Sequence, residues 1–245
     1  MNKRDYFSGH SKLYATFRPT YPEDLYQFIF KYVKKFDSAW DCATGNGQVA
    51  RALANQFTSV CATDISQQQL DQAVQRSNIH YSIQPAEQTH FENAQFDLIT
   101  VGQALHWFDL EKFYSEVKRV AKRDALLAAW GYAVCSVNPE IDEHFYHFYN
   151  HVVGPYWDSA RRMVEEEYKD IPFPFDQIAA PKFTINVEWT LEEFAGYLTT
   201  WSATQKFMKD KNLDPVPEVS KLMEPYWNER EVVSFPVFLK LGKIE

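Results

Sequence analysis

A short apolar strand that runs into a glycine turn and straight on into a helix constrains this chain more than any other feature. Ser38–Cys42 is strand-like, Ala43-Thr44-Gly45-Asn46-Gly47 forms the turn, and Val49, Ala52, Leu53 and Phe57 then recur on one helical face. Glycines at such a junction let a backbone approach a ligand closely. The same alternation continues on both sides. Pro22 opens a helix carrying Leu25, Phe28, Ile29, Tyr32 and Val33. Val60–Ile65 reads as a strand, and Ser66 with Gln69 as a capping box before a helix bearing Leu70, Ala73 and Val74. Ile79–Gln84 alternates like a strand, and Phe96–Val101 is an apolar run of the buried-strand type. Asp109 caps a helix with Leu110, Phe113, Val117, Val120 and Ala121 inward, and Ala125–Tyr132 is a fifth strand. Strands alternating with helices in this way predict a parallel, doubly wound α/β sheet that binds ligands beyond its C-terminal strand ends.

Beyond Tyr132 the rhythm changes. Residues 136–181 read as a mainly helical insertion over the strand ends, Lys182–Trp189 as a strand and Leu191–Phe207 as helix. Residues 232–241 read as a last strand rejoining the sheet, and Pro236 within it favours an edge or a bulge.

Composition narrows the function classes. With 25 basic and 33 acidic residues the net charge is −8, an average field that repels nucleic acid. The three cysteines, Cys42, Cys61 and Cys135, cannot pair completely, which fits a reducing compartment. The N-terminus has no apolar signal region, and no apolar run approaches the ~18 residues of a membrane span. The expectation is a cytoplasmic protein that engages neither membrane nor nucleic acid, as monomer or homodimer.

Two cofactor classes use a glycine turn of this kind. Gly45, Gly47 and Ala50 satisfy a dinucleotide fingerprint, and Asp64 follows Gly47 at a distance where a carboxylate can take both ribose hydroxyls. Asp41 argues for the other class. A pyrophosphate would meet its carboxylate unfavourably, whereas a ligand ending in an ammonium would be attracted. S-adenosylmethionine carries that ammonium and an adenosine but no phosphate. The bland alternative is a glycine turn of some other α/β protein, with Asp41 only a cap.

Several segments together carry a family likeness. They are Asp41–Gly47, Asp64-Ile65-Ser66, Pro85-Ala86-Glu87, Phe96–Thr100 leading into Gly102-Gln103-Ala104-Leu105-His106-Trp107-Phe108, and the N-terminal Tyr14-x-x-x-Arg18-Pro19-x-Tyr21-Pro22. On these the chain resembles the class I S-adenosylmethionine-dependent methyltransferases with a methyltransferase type 11 domain, in the trans-aconitate methyltransferase-like branch. The resemblance is strong over roughly residues 7–132. It departs at Ala43, where the family usually has a glycine, at Pro85, where many members have an acid facing adenine, and at Lys122-Arg123-Asp124, which replaces a Lys-Pro-Gly-Gly turn.

The resemblance implies a Rossmann-like, seven-stranded, mostly parallel sheet with a helical cap. Residues 1–22 would be an arm closing over the cofactor, 23–135 the cofactor-binding core, 136–181 the cap and 182–245 the part completing the sheet. It implies S-adenosylmethionine as cofactor and S-adenosylhomocysteine as product. Asp41 would face the methionine amino group; Ala43, Thr44 and Gly45 would line the cofactor with backbone, beside Asn46 and Gln48. Asp64 would hold the ribose and Ile65 the adenine, with Gln69, Ala86 and Glu87 nearby. Gly102, Gln103, Ala104, His106 and Trp107 would face the methyl end, and Arg18 with Tyr14 the cofactor carboxylate.

His106 is the candidate catalytic residue, because an imidazole titrates near neutrality, although a positioning role suits it better and a carboxylate acceptor needs no base. The acceptor is expected to be a small organic molecule, with a carboxylate oxygen favoured. Trp130, Tyr156, Trp157, Arg161 and Trp201 are the candidate substrate residues, and Arg161 the anchor for an acid. His144, His147 and His151 form a polar stripe rather than a metal site. Two alternatives stay open: a protein that keeps the cofactor without turnover and works through a protein partner, and an NAD(P)-dependent oxidoreductase.

Overall fold

Five parallel strands form the centre of the computed structural model, which describes residues 17–245. They are β1 (Ser38–Cys42), β2 (Ser59–Asp64), β3 (Ile79–Ile83), β4 (Phe96–Gly102) and β5 (Ala121–Tyr132). Three later strands follow: β6 (Asp176–Ile178), β7 (Phe183–Trp189) and β8 (Glu231–Lys243). The sheet runs β3-β2-β1-β4-β5-β8, and both β6 and β7 lie on the far side of β8. β8 is antiparallel to β5, pairing Val237–Lys243 with Leu126–Tyr132. β6 pairs with the Leu241–Lys243 end of β8 and β7 with its Glu231–Val237 end. The two thus share one row, so the sheet has eight strands in seven rows where seven strands were expected. The order reverses between β1 and β4, which opens the ligand crevice at their C-terminal tips.

The helices of the parallel half are α1 (Glu23–Phe30), α2 (Gln48–Leu53), α3 (Gln67–Leu70) and α4 (Leu110–Val120). α1 and α2 cover one face, where Leu25, Ile29, Val49 and Leu53 pack on Ala39, Leu98 and Trp130. α4 covers the other, where Phe113, Val117 and Val120 meet Trp40, Phe96 and Ile99. Cover on both faces is why the first six residues of β4 are all buried, whereas β7, covered on one face, buries Phe183 and Ile185 and exposes Thr184 and Asn186. Local signals hold where they are hydrogen-bonded. Asp109 accepts from the Lys112 N–H at 3.4 Å and Ser66 from that of Gln69 at 3.4 Å. α3, however, stops at Leu70, short of Ala73 and Val74.

The cap differs in extent from the expected 136–181. α5 (Pro139–His147), α7 (Leu191–Thr199), α8 (Ser202–Lys211) and α9 (Val216–Met223) pack together through Phe145, Phe194, Trp201 and Met223, so the cap reaches past residue 181. α6 (Arg161–Glu165) and the stretch to Phe175 turn instead to the α4 face, through Val164, Tyr168, Ile171 and Phe173. The single helix expected over 191–207 is broken at Thr200–Trp201, where Trp201 is extended and buried. Pro236 sits in an interior strand rather than at an edge. Its carbonyl accepts from Ala133 beyond the last β5 pair, so its missing N–H faces the side where the β5 ladder has ended.

Candidate active site

The crevice begins with backbone shape. Ala43, Gly45 and Gly47 all take left-handed φ values, +55°, +57° and +78°. The turn is fastened to β2 by Thr44 N–H to the Thr63 carbonyl at 2.9 Å. Asp64, at the tip of β2, accepts from the N–H groups of Gly45 and Ser66, each at 2.9 Å. A side chain at Gly47 would run into the Tyr81 hydroxyl, whereas one at Gly45 would meet only Gln69 Oε1, in ordinary contact at 3.9 Å. The uncrowded turn at Gly45, the Asp64 carboxylate and the exposed side chain of Ile65, 44% accessible, form a cradle suited to a nucleoside. A carboxylate offers about four acceptor positions, so Asp64 can hold the turn and still receive ribose hydroxyls. Gln48 donates to the Pro19 carbonyl at 3.5 Å, and Glu87 accepts from the Asp109 N–H at 3.1 Å. Gln69 and Ala86 are buried beneath the crevice, and Asn46 is partly accessible beside it.

Asp41 does not stand at the mouth of the crevice. It is 1% exposed and takes hydroxyl donors from Thr44 and from Thr100, the latter at 2.9 Å. Burial pushes its carboxyl up to about 7, against the pull of those hydroxyls and the Ala50 backbone, and with Asp64 pushing the same way. Its first task is therefore internal: it ties β1, the turn and β4 together.

Past β4, Gln103 adopts φ +55° and clamps β5, accepting from Tyr132 N–H at 2.8 Å and donating to its carbonyl at 3.4 Å. Arg18 donates to the Tyr132 hydroxyl at 2.7 Å and to the Thr200 carbonyl at 3.4 Å, over the Tyr197 ring. Gly102 passes Val49 and Tyr21 closely, and Ala104 is buried. Beside them lies a pocket of ≈ 70 Å³. Gln103, His106 and Trp107 line one side, Trp157, Asp158 and Arg161 another, and Arg18, Tyr197, Trp201 and Ser202 the rest. The Arg161 guanidinium lies 4.9 Å from the Trp157 ring centre and donates to Tyr149 Oη at 2.9 Å. Asp158 pairs with Lys206 at 3.2 Å. His106 is held by Tyr168, with Nδ1 2.8 Å from Oη. Burial, with Arg161 adding to it and Asp158 opposing, lowers the imidazole to about 3, so it is a weak base.

The pocket gathers Arg18, Gln103, His106, Trp107, Trp157, Arg161 and Trp201 from distant parts of the chain. Two substrate expectations are corrected. Trp130 is fully buried between Tyr21 and Tyr26, on the α1 face of the sheet. Tyr156 points to the surface, bonded to Asp210 at 2.7 Å beside Phe207. Tyr14 lies outside the described residues. Sequence reasoning missed Asp158, Tyr149, Tyr168 and Tyr197, for which no local pattern exists, and Ser202, which follows the expected Trp201 directly. His144 stacks on Tyr226, His147 and His151 are exposed, and no metal-binding group of three acids, histidines or cysteines occurs among the described residues. A roomier hollow of ≈ 430 Å³, lined by Lys118, Lys122 and Lys243, opens where β5 begins and β8 ends, away from the strand tips that form the crevice. No helix among the described residues is long and apolar enough to cross a membrane.

Comparison with known proteins settles which cofactor class the turn serves. The family described as a methyltransferase domain matches residues 40–129, from β1 to the middle of β5. A protein of Dictyostelium discoideum named as a methyltransferase is 32% identical, over 98% of this chain and 95% of its own length. One of Saccharomyces cerevisiae, named as an S-adenosylmethionine-dependent methyltransferase, is 22% identical over 86% of this chain and 84% of its own. The solved structure of a type II methyltransferase from Anaeromyxobacter dehalogenans superposes with a TM-score of 0.86 at 34% identity, covering 93% of this chain and 98% of that one. With its crevice at the switch point of a doubly wound sheet, the chain belongs to the class I S-adenosylmethionine-dependent methyltransferases.

Proposed function

We propose that this enzyme methylates a carboxylate oxygen of a small organic acid held in the pocket that Trp157, Arg161 and Trp201 line. The observation that carries this is Arg161. Its guanidinium is stacked on Trp157 and steadied by Tyr149 on the pocket wall, an arrangement that presents a fixed cation and planar donors to an anion. The aromatic rings of Trp157, Trp201 and Tyr197 suit an acid with an apolar body.

When bound, S-adenosylmethionine supplies a sulfonium-borne methyl carbon, whose bond to sulfur breaks with its electron pair left on sulfur as an acceptor lone pair forms the new bond. Asp64 would receive the ribose hydroxyls and Ile65 would cover the base. Arg18 would face the methionine carboxylate, and Asp41 would act only indirectly, by holding the turn and β4 in place from within. Arg161 orients the acid, and the aromatic walls exclude water. A carboxylate arrives ionised, so alignment and water exclusion provide the acceleration and no base is required. The weak basicity of His106 agrees with this.

The test is methyl transfer from labelled cofactor to a panel of aliphatic and aryl carboxylic acids, amines and phenols. Base-labile methyl esters are expected from acids alone. Arg161→Met should raise KM for the acid at least tenfold with S-adenosylhomocysteine affinity unchanged. Transfer to amines or phenols but to no acid would overturn the reading.

A further inference from the structure

The geometry points to His106 as a neutral hydrogen-bond donor that holds the acceptor's oxygen through Nε2–H, in a tautomer fixed by the buried Tyr168. The inference rests on the methyl-transfer reading above and deepens it, because it names what the post-β4 histidine does and which acceptors it suits.

Tyr168 is fully buried. It follows Glu167, and both residues are left-handed, with φ +57° and +54°, a local geometry that sets the phenol beneath the segment after β4. A buried phenol must place its one proton on an acceptor. Among the described residues, the acceptor in contact with Tyr168 Oη is His106 Nδ1, at 2.8 Å. The backbone N–H groups of Leu105 and His106 face the same phenol oxygen, and an N–H offers it no acceptor. The proton therefore lies between Oη and Nδ1 as a phenol donating to an imidazole. A neutral imidazole that accepts at Nδ1 carries its hydrogen on Nε2.

That nitrogen has no protein partner among the described residues, and the ring lines the pocket shared with Arg161 and Trp157. The charged groups that face the imidazole are Arg161, which opposes its protonation, and Asp158, which favours it but pairs with Lys206. Burial does most to keep the ring neutral near pH 7, and Arg161 adds to it.

A donor at this place discriminates by chemistry. A carboxylate can accept Nε2–H on one oxygen while the other oxygen attacks, and no proton moves at His106. An alcohol or an ammonium would have to lose a proton, and an Nε2–H imidazole whose Nδ1 is engaged offers nowhere to put it. Tyr168 is the positioning residue and His106 the group that touches substrate.

The first test uses the free protein with histidines labelled in ¹⁵N, and His106→Gln to assign its signals. Expected is a protonated Nε2 and a bare Nδ1 for His106, unchanged from pH 5 to pH 8. Tyr168→Phe should mix the tautomers of a ring that burial and Arg161 still keep neutral. A proton on Nδ1, or an imidazolium at pH 6 in the native protein, overturns the inference whatever the enzyme methylates.

The second test compares variants on the acids that the panel shows to be methylated. His106→Ala should lower kcat/KM by about 100-fold. His106→Gln, which keeps an N–H but no base, should recover at least tenfold of that loss and keep the native pH profile. Equal loss in both variants, with an ascending pH limb that disappears, would make His106 a base and overturn the inference. The stated tautomer together with transfer to amines alone would overturn the acid reading instead.

Discussion

From Asp41 to Gln69 the wall of the cofactor crevice hardly leaves one continuous stretch of chain, whereas the pocket proposed for the acceptor is assembled from Arg18, the segment after β4, residues 157–161 and the α7–α8 junction. The first region is held by backbone geometry: three left-handed residues in five, and N–H groups turned onto Asp64. The second is held by aromatic packing, with Trp201 touching Phe145, Phe148, Tyr149, Trp157 and Tyr197. A site made of backbone shape tolerates few residue types, and a site made of rings tolerates many arrangements. The first kind of site is legible in a local motif, and the second only in the tertiary fold.

Four substitutions test that division. Trp201→Ala removes the centre of the pocket's packing and should cost about 3–5 kcal/mol. Melting temperature should fall by on the order of 10 °C, with S-adenosylhomocysteine affinity within about twofold of native by calorimetry. A parallel loss of cofactor affinity would show that the two regions are one.

Asp41 gives a pH effect confined to the crevice. Its folded carboxyl titrates near 7, while the unfolded one titrates near 3.9. Between those values the unfolded chain has released a proton that the folded chain keeps. The stabilisation is present in full below about pH 4 and is lost as pH rises towards 7. Native protein should therefore lose roughly 2–3 kcal/mol relative to Asp41→Asn between pH 5 and pH 8 in urea unfolding. Parallel curves for the two proteins would count against a buried, protonated Asp41.

Asp64→Ala should weaken S-adenosylhomocysteine at least about tenfold, some 1.4 kcal/mol, by loss of charge-assisted bonds to the ribose. Acid binding by the cap should be unaffected, and unchanged cofactor affinity would refute the ribose assignment. Smallest of all, Ala43→Gly relieves a left-handed alanine. It should add about 1 kcal/mol and raise melting by about 2–4 °C. A lower melting temperature would mean that the methyl group earns its place through packing.

What could be read from the sequence follows the same line. The β1 turn, Asp64, the Asp109 cap and the alternation of β7 are local patterns, each decided within a few residues, and each stands where expected. The break at Thr200–Trp201 escaped because helical periodicity runs across it on both sides. Trp130 and Trp157 look alike as letters. One is sealed between Tyr21 and Tyr26 and the other lines the pocket, and only tertiary packing separates them. Tyr156 and Trp157 are neighbours that face opposite ways. The His106–Tyr168 bond spans 62 residues, a distance at which no sequence pattern points. Asp41 was placed correctly in the chain, but its burial depends on Thr100 from β4, which the local motif does not contain.

The row outside β8 has one more consequence. It is cut into a three-residue piece and a seven-residue piece, with Pro181 and Lys182 in the gap and Glu188 exposed beyond it. A neighbouring copy seeking to extend the sheet would find no unbroken ladder of free amides there. This protects a concentrated solution of the enzyme against edge-to-edge aggregation on that side.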